Sequence, residues 1–139
     1  MISDSCRIWL NYAKRDLDLA ILAMNQIQSP RQRPYELILY HCQQTAEKAL
    51  KSFIINNGVS YPYEHDLSVL RGMCAKLENS FNSKRIVDHC VFLSVFTTVR
   101  YPDFALSVDS GHADRGLNSA KRIYDFVLSR LGLEKVYFR

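Results

Sequence analysis

Within the stretch YHCQQTAEKAL, Tyr40 to Leu50, a histidine, two glutamines, a glutamate and a lysine are set among small and apolar residues. His41, Gln44, Lys48 and Lys51 recur at steps of three and four, so on a helix they share one face, offset from the apolar stripe. Histidine is the residue type of the set that general acid–base chemistry most often uses, and here that is His41. Alone, it reads as a surface or a buried, hydrogen-bonded histidine. Glu47 and Lys51 form an ordinary i,i+4 pair, and the residues by themselves describe a solvated helix face.

Other chemistries have less to stand on. There is no Gly-rich phosphate loop, no H-E-x-x-H and no G-x-S-x-G, and the carboxylates are scattered. The arginines of SPRQRP, with Tyr35 close by, have the residue types for a nucleic-acid contact, although a basic turn is usually solvated. Cysteines stand at 6, 42, 74 and 90, too far apart and too irregular for a zinc site. They are expected to be free thiols that fill core space. No metal and no cofactor is expected.

The 139 residues suffice for one domain, 1–139, with one core. Eighteen Lys and Arg against fourteen Asp and Glu give a net charge of +4, compatible with a polyanionic partner without requiring one. No apolar run approaches the length of a membrane span, and MISDSCRIW lacks a signal pattern, so a cytoplasmic protein is expected.

The elements that must position the ridge are helices. Leu10, Ala13, Leu17, Ala20, Ile21 and Met24 give the first, from Ser5 to Gln28. Leu39, Cys42, Ala46, Ala49, Leu50 and Phe53 give the second, from Pro34 to a stop at Asn57-Gly58. The third is carried by Leu67, Leu70, Cys74, Leu77 and Phe81, with Asp66 as N-cap. The fourth segment, KRIVDHCVFLSVFTTV, contains a strand-like run from Val91 to Val99, but its length and setting favour helix. It is apolar nearly all round, which points to a central or interface position and to a homodimer. Leu117, Ala120, Ile123, Tyr124, Val127 and Leu131 carry the last helix, whose start is blurred by Gly111 and Gly116 and whose stop is Gly132. The fold class is all-α, an up-and-down antiparallel bundle of four to five helices.

Three short blocks, taken together, resemble one family. HCQQTAEKALKSFI is similar to the His-x-x-Gln-Gln-x-x-Glu-Lys-x-Leu-Lys signature of HEPN domains (higher eukaryotes and prokaryotes nucleotide-binding). HDLSVL, His65 to Leu70, resembles the element that opens their third helix, and RYPD, Arg100 to Asp103, the one before their last. The resemblance runs over roughly residues 7–131. It implies a helical bundle, often homodimeric, that works with a minimal nucleotidyltransferase as a two-component or toxin–antitoxin pair and offers a groove for a nucleotide or RNA. On that reading His41, Gln44 and Lys48 face a cleft closed by Arg100 and Asp103. Lys48 and Arg100 serve phosphate groups and Gln44 a base or sugar.

Many HEPN proteins resemble metal-independent ribonucleases, whose motif is Arg, four to six residues, then His. The His moves the proton of the attacking 2′-hydroxyl, and the Arg neutralises charge building on phosphorus. Here the first His after Arg100 is His112, and Arg85 to His89 has three intervening residues. The Tyr-bearing variant linked to AMP modification is missing too. The expected function is therefore a module that binds a nucleotide or a nucleotidyltransferase partner without catalysis of its own. The alternatives are a toxin-type ribonuclease that uses Arg100 with a displaced His, and a structural helical interaction protein.

Overall fold

The structure is a computed structural model and describes residues 1–60, 62–97 and 107–133. Five helices account for most of it, and no strand occurs among the described residues. Helix α1 spans Asp4–Gln26. It starts where the Ser3 hydroxyl accepts the Cys6 N–H at 3.1 Å, satisfying one of the orphan donors of the first turn. It buries Cys6, Leu10, Ala13, Leu17, Ala20 and Met24. A 3₁₀ turn, Pro30–Gln32, reverses the chain. The Arg33 side chain closes that turn by donating to the Ile27 carbonyl at 2.8 Å, so one arginine of SPRQRP has a structural use.

Helix α2, Tyr35–Asn56, is the central element, packed against α1 and against three later helices: α3, Leu67–Leu77; α4, Lys84–Ser94; and α5, Ser110–Arg130. It ends at Asn57-Gly58, where Gly58 adopts φ +79°, a conformation open to a residue without Cβ. The chain then returns to the middle of α2, where Asp66 caps α3 by accepting from the Ser68 and Val69 N–H groups. Helix α3 is shorter than its apolar pattern suggests. It stops at Leu77, and Phe81 sits in a following 3₁₀ turn, Asn79–Asn82. There it is fully buried, with ring centroids 4.6 Å from Phe53 and 5.0 Å from Phe126. The spacing of Phe81 thus continues the apolar face across a break in the helix.

The strand-like part of the fourth segment is helical as far as Ser94, followed by turn structure at Val95 and Phe96. Ile86, Cys90, Leu93 and Phe96 enter the core, whereas Val91 and Val95 are exposed. Helices α4 and α5 are antiparallel, since His89 meets Ser119 and Phe92 meets Arg115. All four cysteines are buried free thiols. Burial pushes Cys6 up to about 11 and Cys42 and Cys90 up to about 12, so they are unreactive at neutral pH.

The two glycines that blurred the start of the last helix lie inside it. Asp109 accepts the His112 N–H at 3.1 Å, while the His112 ring meets the Asp109 N–H at 3.2 Å, a reciprocal cap strong enough to start α5 ahead of Gly111. Gly116 is buried because α5 crosses α2 there, and a Cβ on it would stand 2.5 Å from Leu39 Cδ2. Gly116→Val should therefore lower stability by about 2 kcal/mol through overpacking, read as a reduced urea midpoint with unchanged m-value.

Candidate functional site

The polar ridge of α2 faces its neighbours. Two carboxylates organise it. Asp16, on α1, sits between His41 Nδ1 at 2.9 Å and Lys48 Nζ at 2.5 Å. Burial alone would raise the Asp16 carboxyl, but hydrogen bonds from His41 and Lys48 overcome that and hold it below the usual carboxylate range. One turn further along α2 the hub is Glu47, only 4% exposed. Its oxygens meet Lys51 Nζ at 3.0 Å, His65 Nδ1 at 3.0 Å, Gln43 Nε2 at 3.2 Å and Gln44 Nε2 at 3.4 Å. Gln44 also donates to Gln43 Oε1 at 2.8 Å, and Gln43 to the His65 carbonyl at 3.3 Å. Lys51, with no exposure, lies 5.7 Å from the Trp9 ring centre.

The Glu47–Lys51 pair predicted as a solvated i,i+4 contact is thus present but buried. His41, Gln44 and Lys48 are each partly buried and each already engaged with a carboxylate. The periodicity placed them on one face correctly. It carried no information about what that face would meet, because Asp16 and His65 are 25 and 18 residues away from His41 and Glu47 in the chain. Arg100 and Asp103 lie outside the described residues.

A different set of cations meets open space. Helices α4 and α5 bound a cleft of about 630 Å³ lined by Arg85, His89, Asn118 and Arg122, by the carboxylates Asp88 and Asp125, and by Ile86 and Phe126 as apolar wall. His89 Nδ1 is 2.8 Å from the hydroxyl of buried Ser119. That contact commits one ring nitrogen and leaves Nε2 as the one available to a ligand. Burial, then the Arg122, Arg115 and Arg85 charges, push the imidazole below its ordinary value against the opposing effect of Asp88. His89 is therefore neutral at pH 7. The Arg115 guanidinium stacks 4.1 Å from the centre of the Phe92 ring, one level along the same helix pair.

Sequence reasoning weighed Arg85 and His89 only as an Arg-to-His pair with too short a gap and passed over Asn118 and Arg122, although a signal was there. Arg85 and His89 are four apart on α4, and Arg115, Asn118 and Arg122 are three and four apart on α5, so each set shares a helix face. What the pattern could not supply was the antiparallel pairing that makes the two faces one cleft. His112, the other histidine weighed for proton transfer, caps α5 through Nδ1.

A family model described as HEPN domain matches residues 6–131. Among solved structures, "ST0689, an archaeal HEPN homologue" is 28% identical, with a TM-score of 0.69 over 91% of this chain and 97% of that one. TT1696 from Thermus thermophilus is 23% identical, with a TM-score of 0.73 over 92% of this chain and 99% of that one, a likeness of fold. No curated protein matches the chain.

The buried hub makes a test of the ridge possible. Glu47→Leu removes the carboxylate that meets the buried Lys51 charge at 3.0 Å and should cost about 3–5 kcal/mol in chemical denaturation. Adding Lys51→Met removes that charge, so the double variant should recover much of the loss, a coupling that a solvated pair would not give.

Proposed function

This chain belongs to the HEPN domain family, and we propose that it is a nucleotide-binding module that takes its ligand's phosphate in the α4–α5 cleft. It carries out no catalysis of its own and acts beside a minimal nucleotidyltransferase of the kind that the family resemblance implies. The observation that carries this reading is the contrast between the two polar regions. The cations of α2 are paired with Asp16 and Glu47, whereas Arg85 and Arg122 line an open cleft beside a neutral imidazole.

Two guanidiniums suit a phosphate through paired N–H donors, and the Asn118 amide suits a base edge or a ribose hydroxyl. Ile86 and Phe126 offer apolar surface to a base. Arg100 and Asp103 belong to the segment that joins α4 to α5, and we assign Arg100 a further phosphate contact with Asp103 orienting it. His41 and Lys48 support the site at a distance by holding α1 to α2 through Asp16, and Gln44 by its bonds to Gln43 and Glu47 within α2.

The reading also includes a homodimer, supported by the exposed Val91 and Val95 and by a larger apolar face on α1. RNA cleavage is the second reading, favoured by one observation: His89 is neutral and surrounded by Arg85, Arg115 and Arg122. Against it stands the Arg85-to-His89 spacing, shorter than the family's motif.

The test is calorimetric titration with AMP, ATP and a short RNA. Arg122→Ala and Arg100→Ala should each weaken binding roughly tenfold to a hundredfold, the worth of one charge-assisted contact. Lys48→Ala should change affinity little. Because the His89 pKa lies below its ordinary value in the free protein and an anion favours the imidazolium, binding should tighten as pH falls from 8. The gain should level off once His89 is protonated without ligand. His89→Gln should flatten that profile. RNA incubated without metal should stay intact, and cleavage lost in His89→Ala would replace binding with catalysis. Absence of any ligand binding would leave a structural interaction protein.

A further inference from the structure

Helix α1 has two apolar faces. The core residues Cys6, Leu10, Ala13, Leu17, Ala20 and Met24 follow one another at steps of four, three, four, three and four. Shifted by two positions, Ile8, Tyr12, Arg15, Leu19 and Leu22 repeat the same rhythm. Two positions on a helix are about 200° of rotation, so this second set lies on the opposite face. There Ile8, Tyr12, Leu19 and Leu22 are 57%, 50%, 49% and 54% exposed. Four such side chains in a row leave on the order of 400 Å² of apolar surface in one stripe, the size of the largest and often functional patch on a typical monomer. A four–three alternation is the spacing with which one helix meets another along a seam.

We propose that this stripe is the interface of the homodimer, with the α1 helices of two copies antiparallel about a two-fold axis through Arg15. This deepens the dimer reading above and does not depend on the cleft. The spacing is close to palindromic: Ile8 and Leu22 each lie seven residues from Arg15, and Tyr12 and Leu19 lie three and four away. An isologous contact needs such a surface, because each residue must meet its symmetry mate's counterpart. Ile8 then packs on Leu22 of the second copy and Tyr12 on Leu19, with opposed helix dipoles. Arg15 at the axis would repel its mate if left bare. Its guanidinium is, however, held 4.9 Å from the centre of its own Tyr12 ring, and Asp18 stands one turn away. Asp18 gives Oδ1 to Lys14 and keeps a half-exposed side chain whose second oxygen can meet the guanidinium of the second copy. Stripes from two copies with their polar flanks approach the lower end of stable interfaces, so the dimer belongs in the micromolar range.

Sedimentation equilibrium between about 1 and 200 µM should show a monomer–dimer equilibrium in the wild type and a monomer for Leu19→Asp. Circular dichroism identical to wild type would establish that this variant is folded. Cysteine cross-linking reads the geometry, since all four native thiols are buried. Oxidised Arg15→Cys should form a covalent dimer by itself. Ile8→Cys should not, but should do so when mixed with Leu22→Cys. A wild-type monomer at 200 µM would overturn the dimer reading and this interface together. A dimer that survives Leu19→Asp but is lost in Val91→Asp would keep the dimer and overturn the α1 assignment. Cross-linking of Ile8→Cys alone would overturn the antiparallel arrangement.

Discussion

A carboxylate in a protein interior must be compensated or it does not stay charged. Glu47 meets that constraint with Lys51 from its own helix, Gln43 and Gln44 from the preceding turn, and His65 from the segment that leads into α3. Much of the rest follows. The loop after Gly58 has to bring His65 back to the middle of α2, which fixes where Asp66 caps α3. Lys51 has to be fully enclosed, and Trp9 of α1 covers it. Helix α2 buries Gln43, Thr45, Glu47, Lys51 and Ser52 among its apolar residues. Such a helix can sit at the centre only if its polar atoms find partners close by.

The same requirement separates structural from available charge. Cations on α2 have a nearby carboxylate within hydrogen-bond reach, and an anionic ligand would have to compete with it. Around the α4–α5 cleft, burial first and then the Arg122, Arg115 and Arg85 charges, against Asp88, push the His89 imidazole below its ordinary pKa. A low imidazole pKa in a concave site is a pointer to function that a helix-face pattern cannot give. The first resemblance block and the open cleft therefore mark different jobs: HCQQTAEKAL assembles the bundle, and less patterned positions on α4 and α5 line the space.

Most of the helices could be read directly from the sequence. Leu10 to Met24 and Leu39 to Phe53 announced α1 and α2, Asp66 the start of α3, and the glycines at 58 and 132 the stops, because capping and periodicity are local properties. The misjudged places were those where a tertiary contact overrode the local signal. Gly116 sits mid-helix because Leu39 needs the room, and Phe81 joins the core from a 3₁₀ turn because Phe53 and Phe126 receive it. Family membership was also legible, from three blocks in order on a helical chain.

The sequence by itself thus determined which residues share a helix face and which faces are apolar. Only the tertiary structure decided what each face meets. It turned a ridge of apparent surface polarity into a buried network, because Asp16 and His65 reach it from distant parts of the chain. It also joined Arg85 and His89 to Asn118 and Arg122 across two antiparallel helices. Helical periodicity encodes direction around one axis, whereas a site depends on the distance between axes, and that distance is set by how the whole core packs.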